Sequence, residues 1–154
     1  MEPALDQLLH RLEDRSACIG IVGLGYVGLP LALTYAEAGY TVLGLDIDPV
    51  KIQALEQGLS YIQHIDAGRV AAARVDRAAE ADALIVCVPT PLDRHREPDL
   101  SFVVETTKAL LPFLRAGQVL SLESTTYPGT TEEVLRPLIE SRDLVIGRDV
   151  ALVY

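Results

Sequence analysis

The sequence predicts an α/β domain, a doubly wound parallel sheet with helices on both faces and a short helix ahead of it. Three observations predict it. Apolar runs of strand length alternate with stretches of helical length along the chain. The first run, Cys18-Ile19-Gly20-Ile21-Val22, passes through Gly23, Gly25 and Gly28 into a helix-forming segment. That is G-x-G-x-x-G in the strand–turn–helix setting its mechanism needs. An acid, Asp46, closes the second apolar run at about the 20-residue spacing that accompanies such a turn.

Taken in order, residues 3–15 read as an amphipathic helix, with Leu5, Leu8, Leu9 and Leu12 on one stripe. It packs either on its own domain or on a partner, and residues 1–16 are read as an extension ahead of a domain spanning 17–154. Residues 17–22 form the first strand, apolar enough to be covered on both faces. A helix follows over Tyr26–Glu37, with Pro30 in its opening turns and Gly39 past its end. Thr41–Asp46 is the second strand. Asp48 caps and Pro49 opens a helix that covers Val50–Gln57. Between 59 and 82 the pattern is weak: a helical stretch at Ala67–Ala73, an edge strand at Arg74–Asp76 and a helical turn at Arg77–Ala81.

Ala83–Val88 is an unbroken apolar strand stopped by Pro89-Thr90-Pro91. After a polar loop, Asp99 is expected to cap a helix over Leu100–Leu114, and Val119–Leu122 is the next strand. A second polar loop, Glu123–Gly129, precedes a helix over residues 131–140 with Thr130 as its cap. Val150–Tyr154 is the last strand. Six strands joined by right-handed crossovers give the Rossmann-type order 3-2-1-4-5-6. Ligands then belong at the carboxyl ends of the strands near the switch point. That gathers the Gly23–Gly28 turn, the Pro89–Pro91 loop and the Glu123–Gly129 loop.

Composition narrows the function. The chain of 154 residues is 49% apolar, enough for one domain with a substantial core. Its net charge of −9 argues against nucleic acid and anionic membranes as partners. The opening residues show neither a signal peptide nor a membrane span, so the expected compartment is the cytoplasm. Cys18 and Cys87 fall in strand-like runs and are expected to be buried, inert thiols. His10, His64 and His95 have no metal-ligand spacing, so no metal is expected.

The glycine turn is the expected pyrophosphate seat: Gly23 makes the turn, Gly25 admits the phosphates and Gly28 lets helix and strand pack closely. The helix start then offers N–H groups and a positive dipole end. Asp46 can accept hydrogen bonds from a ribose 2′-hydroxyl and would repel a 2′-phosphate, which favours NAD over NADP. It also suits a plain turn with Asp48. Lys51 either touches the adenosine ribose or is solvated. Thr90 either binds cofactor or shapes its turn. Ser124 and Thr125 either reach the nicotinamide end or brace their loop. Glu132, Glu133 and Glu140 read as a solvated helix face.

Val22–Ala32, Val88-Pro89-Thr90-Pro91-Leu92, Arg96-Glu97-Pro98-Asp99-Leu100 and Glu123–Thr131 together resemble the UDP-glucose/GDP-mannose dehydrogenase family. They are most similar to its members acting on UDP-N-acetyl-hexosamines, glucosamine or mannosamine. The match runs in order along nearly the whole chain. The resemblance implies oxidation of C6 of a nucleotide sugar from alcohol to carboxylate with two NAD, in polysaccharide biosynthesis. It implies cofactor roles for Gly23, Gly25, Tyr26, Val27, Gly28, Asp46, Lys51, Thr90 and Thr125, and a further role for Thr125 in positioning a catalytic water. At the Lys51 position many members carry Arg. The family's nucleophilic Cys, a Lys and the sugar-nucleotide domain lie beyond the portion matched here. The 154 residues alone are therefore expected to bind NAD without turnover, and the full-length protein to be a homo-oligomer. The other readings are a stand-alone NAD-binding module and the cofactor domain of a UDP-glucose or hydroxy-acid dehydrogenase.

Overall fold

The computed structural model describes residues 4–57, 71–92, 94 and 96–154. Six strands form one sheet: β1 (Cys18–Val22), β2 (Thr41–Asp46), β3 (Ala71–Arg74), β4 (Ala83–Val86), β5 (Gln118–Leu122) and β6 (Val150–Val153). Their order is β3-β2-β1-β4-β5-β6, and every neighbouring pair is parallel. The order reverses between β1 and β4, the crevice where α/β sheets take ligands. The helices are α1 (Ala4–Glu13), α2 (Gly28–Glu37), α3 (Pro49–Glu56), α4 (Ser101–Leu110) and α5 (Arg136–Glu140).

Side-chain alternation divides the core between the two sheet faces. Ile19 and Ile21 of β1 and Ala83 and Ile85 of β4 pack with Leu29 of α2 and Ile52 and Leu55 of α3. Val22, Leu84, Val86, Leu120 and Leu122 point the other way, onto Val103 and Leu110 of α4 and Ile139 of α5. Each fully buried Leu or Ile contributes on the order of 2 kcal/mol by leaving water.

The helix α1 packs on its own domain, which settles the choice left open by its sequence. Leu8 is buried, whereas Leu9 is 58% exposed and falls off the expected stripe. Arg11 donates to both oxygens of the buried Asp82 carboxylate, at 2.7 and 2.5 Å. Arg115 and the Cys18 N–H donate to the same carboxylate at 3.0 and 2.8 Å. Tyr40 Oη donates to the Leu12 carbonyl at 2.8 Å.

Several boundaries differ from expectation. The third strand lies at Ala71–Arg74, earlier than Arg74–Asp76, because parallel pairing of Leu43 to Ala71 and Asp46 to Arg74 sets it. Val75–Glu80 is a 3-10 helix. The part of the Ala67–Ala73 helical reading before residue 71 lies outside the described residues, and residues 71–73 are strand. The helix α2 starts at Gly28 rather than Tyr26, and α4 ends at Leu110 in a 3-10 turn over Leu111–Phe113. Asp99 sits one residue outside the α4 cap and accepts from Ser101 N at 2.9 Å. Thr130 does not cap: its hydroxyl donates to the Tyr127 carbonyl at 2.8 Å. The expected helix over 131–140 opens as a π segment, Thr131–Leu135, in which Arg136 N donates to Thr131 O. Pro137 follows with no N–H to offer the preceding turn, and the ladder widens ahead of it.

Candidate functional site

Three turns leave the sheet side by side at its carboxyl edge. Gly23 N donates to Leu45 O at 2.8 Å, Cys87 N to Val22 O at 2.8 Å and Glu123 N to Val86 O at 2.9 Å. Each turn is thus an extension of the strand ladder and inherits its rigidity. Ser124 then ties two of them together. Its hydroxyl donates to the Val88 carbonyl at 2.8 Å and accepts from Val88 N at 3.1 Å. Of the two roles open to Ser124, the structure shows the bracing one.

The glycine turn has the shape its spacing implies. Gly23 has φ +94°, and a Cβ there would stand 2.6 Å from the Cys87 carbonyl oxygen. At Gly28 a Cβ would overlap the Gly23 carbonyl oxygen, so the strand-to-helix packing admits no side chain. A Cβ on Gly25 would meet nothing within 4 Å. Gly25 faces open space, and that space is a cleft of about 530 Å³. The first bond of the following helix runs from Leu29 N to Gly25 O at 3.1 Å. The N–H groups before Leu29 therefore have no acceptor within the helix, and the N-cap Val27 supplies no side-chain bond. Backbone donors beside a space with no Cβ fit a phosphate.

Gly23, Gly25, Tyr26 and Val27 line this cleft. Tyr26 is 85% exposed and Val27 60% exposed. Lys51 and Thr90 line it as well, as do Cys87, which follows β4, and Glu123 and Thr125, which follow β5, across β1 from the end of β2. Gly28 lies beneath the turn. A smaller cavity of about 210 Å³ shares Gly23, Lys51, Val88 and Pro89 with the first, so the two make one groove. Asp46, Ile47, Phe102 and Thr106 line the smaller part.

The Asp46 side chain is nearly buried at the join between β2 and the glycine turn. Oδ2 accepts from Leu24 N at 2.9 Å and from Lys51 Nζ at 3.3 Å. Oδ1 accepts from Asp48 N at 2.9 Å. Asp46 therefore belongs both to a turn with Asp48 and to the groove. A carboxylate has about four acceptor sites, so one remains on Oδ1 for a hydroxyl.

Both cysteines are free thiols, but only Cys87 is buried as expected; Cys18 is half-buried. Burial, and then the Asp82 carboxylate, raises the Cys18 thiol. Burial, with Glu123 adding to it, pushes Cys87 up to about 11. Neither is a thiolate near neutrality, although Cys87 lines the cleft. Among the described residues no group of three or more His, Cys, Asp or Glu could hold a metal. His64 and His95 lie outside the described residues. Glu132 and Glu140 pair with Arg136 on a solvated helix face. No helix among the described residues is long and apolar enough to cross a membrane.

Sequence reasoning gave no role to Glu123, Cys87, Phe102 or Thr106, all of which line the groove. For the first two the signal was available, since each is the first residue after a strand, Cys87 after β4 and Glu123 after β5, at the carboxyl edge of the sheet. Phe102 and Thr106 are one helical turn apart, and only the packing of α4 reveals which way they face.

Residues 17–154 match the model of the UDP-glucose/GDP-mannose dehydrogenase family, NAD binding domain. The chain is 37% identical over 129 residues to the UDP-N-acetyl-D-glucosamine 6-dehydrogenase of Pseudomonas aeruginosa, covering 79% of this chain and 30% of that protein. It is 35% identical over 143 residues to the UDP-N-acetyl-D-mannosamine dehydrogenase of Escherichia coli, covering 87% of this chain and 34% of the other. The solved UDP-N-acetyl-mannosamine dehydrogenase of Staphylococcus aureus superposes with a TM-score of 0.77 at 32% identity, covering 88% of this chain and 35% of that one. The chain thus spans about a third of the length of the relatives it matches. With the glycine turn, the Asp46 carboxylate and the open groove in one place, the chain belongs to the UDP-glucose/GDP-mannose dehydrogenase family, and residues 17–154 are its NAD-binding domain.

Proposed function

We propose that these residues are the cofactor half of a nucleotide-sugar 6-dehydrogenase that oxidises C6 of a UDP-N-acetyl-hexosamine to the carboxylate. The observation that carries the reading is the groove that runs from Asp46 across Gly25 to Thr125. Similarity to relatives named for UDP-N-acetyl-glucosamine and UDP-N-acetyl-mannosamine supports the sugar class. NAD, when bound, supplies the hydride acceptor.

The chain's own groups divide the work of holding it. The backbone from Gly25 to Gly28, with Tyr26 and Val27 lining the cleft, seats the pyrophosphate. Asp46 accepts from a ribose hydroxyl and repels a 2′-phosphate, while Lys51 holds its carboxylate in place. Thr90 and Thr125 offer hydroxyls along the rest of the groove, and Thr125 is assigned the positioning of a catalytic water, the role that the family resemblance implies for it. Ser124 keeps those two loops at a fixed spacing.

Burial keeps both Cys18 and Cys87 as neutral thiols, so neither is ionised as a nucleophile, although Cys87 lines the cleft. The 154 residues therefore bind NAD without completing an oxidation, and the covalent chemistry belongs to a separate domain of the whole protein. The test is an assay of the protein expressed from the whole gene, with NAD and four sugars: UDP-N-acetyl-glucosamine, UDP-N-acetyl-mannosamine, UDP-glucose and GDP-mannose. Two NADH per sugar are expected with an N-acetyl-hexosamine. Preferred oxidation of UDP-glucose or GDP-mannose would refute the assigned sugar class, and NADH formation by residues 1–154 alone would refute the division of labour.

A further inference from the structure

The groove carries charged side chains toward both ends, Asp46, Asp48 and Lys51 on one side and Glu123 on the other. Lys51 stands at the Asp46 end and is engaged with that carboxylate at 3.3 Å. Glu123, the first residue after β5, lines the groove across β1 from Asp46 and acts electrostatically on Cys87. It is fixed there twice. Its N–H continues the ladder by donating to Val86 O at 2.9 Å, and its Oε1 accepts from Ser121 Oγ at 2.6 Å. Ser121 is itself 91% buried, so the carboxylate is held by a rigid strand residue. The partner that holds Glu123 is thus a neutral hydroxyl, and its negative charge is left to act on the groove. That charge is felt at the groove-lining Cys87 thiol and also at Tyr35 of α2, since it adds to burial in raising both.

We propose that Glu123 sets the redox preference of the site, favouring the oxidised, cationic nicotinamide over the reduced, neutral one. The proposal rests on the groove being the NAD seat read above. Asp46 at one end and the glycine turn at the middle give the cofactor its direction, which brings the nicotinamide to the Glu123 end. Oxidised and reduced cofactor share every other charged group. A carboxylate at the ring end therefore adds attraction to one form and not to the other. In a groove open to water, a unit charge of this kind shifts affinity by about three- to tenfold. The consequence suits a reaction that consumes two NAD in succession, because the reduced cofactor has to leave before the second oxidised one enters.

The test uses the 154-residue chain and its Glu123→Gln variant, which keeps an acceptor for Ser121 Oγ. Dissociation constants for NAD⁺ and NADH are measured by calorimetry and by NADH fluorescence. The NADH/NAD⁺ ratio of dissociation constants should fall about three- to tenfold in the variant, chiefly through weaker NAD⁺ binding. Glu132→Gln, on the solvated helix face, should leave the ratio unchanged. Should Glu123→Gln not fold, the wild-type ratio must still shrink as ionic strength is raised, since screening removes the term. An unchanged ratio in Glu123→Gln, equal weakening of both forms, or a salt-independent wild-type ratio would overturn the proposal. Wild-type chain that binds neither form would instead overturn the reading of the groove as an NAD site, and this inference with it.

Discussion

Asp46 Oδ2 accepts a hydrogen bond from Leu24 N at 2.9 Å, which locks the end of β2 to the middle of the glycine turn. The residue that would read the ribose thus also holds the turn that would seat the phosphates. Replacement by Asn leaves an acceptor for Leu24 N but removes the charge that engages Lys51 and repels a 2′-phosphate. In Asp46→Asn, NAD binding should weaken about tenfold, roughly one charge-assisted hydrogen bond, while NADP binding weakens less or improves. Calorimetry with both cofactors checks this; unchanged discrimination would count against the role of the carboxylate.

Gly28→Ala is the sharpest steric test. The added methyl has to displace the Gly23 carbonyl, which is itself held by the turn. Overpacking of this kind costs about 3 kcal/mol, and backbone offers less relief than a side chain. Urea unfolding should show that loss, with NAD binding reduced at the same time. Gly25→Ala, by contrast, meets no protein atom and should fold normally yet bind NAD poorly.

At the opposite end of the sheet, Asp82 is fully buried and receives Arg11, Arg115 and Cys18 N. Asp82→Ala removes the acceptor for all of them and should cost about 3 kcal/mol. Because this cluster lies at the amino ends of the strands, NAD affinity should be unchanged in the fraction that remains folded. Arg11→Ala should cost less, since Arg115 and the Cys18 N–H still compensate the carboxylate. A denaturant series on both variants distinguishes the two.

Cys87 gives a pH dependence with a definite sign. Its thiol titrates near 11 in the fold, against an ordinary value of 9.0. The unfolded chain therefore loses this proton first. The contribution is complete below about pH 9 and is lost as the pH rises from 9 toward 11, by on the order of 1–2 kcal/mol. Stability of Cys87→Ala should fall less steeply over that interval. An identical alkaline slope in both proteins would show that burial of this thiol is not the cause.

The parts of the site visible in the sequence are those governed by local rules. Gly23, Gly25, Gly28 and Asp46 declare themselves because a tight turn, a close approach and a strand-end acid each demand one residue type. The β4 run is equally plain, since only a strand covered on both faces needs four consecutive buried apolar residues. Other features depend on distant partners. The strand at Ala71–Arg74 holds three alanines and no β-branched residue, so its pairing with β2 rather than its own propensity makes it a strand. Ser124 has its role assigned by Val88, which is 36 residues away in sequence. Leu9 matched the helical period but not the face that Arg11 and Asp82 turn inward. Thr130 looked like a cap, yet its hydroxyl prefers the Tyr127 carbonyl of its own turn.

The most direct test of the account is a paired titration of the 154-residue chain with NAD and NADP by calorimetry under one buffer and salt. One NAD per chain should bind, at least about tenfold more tightly than NADP, because Asp46 gains a hydroxyl partner in one case and faces a phosphate in the other. Equal or tighter binding of NADP, or no binding of NAD, would contradict it.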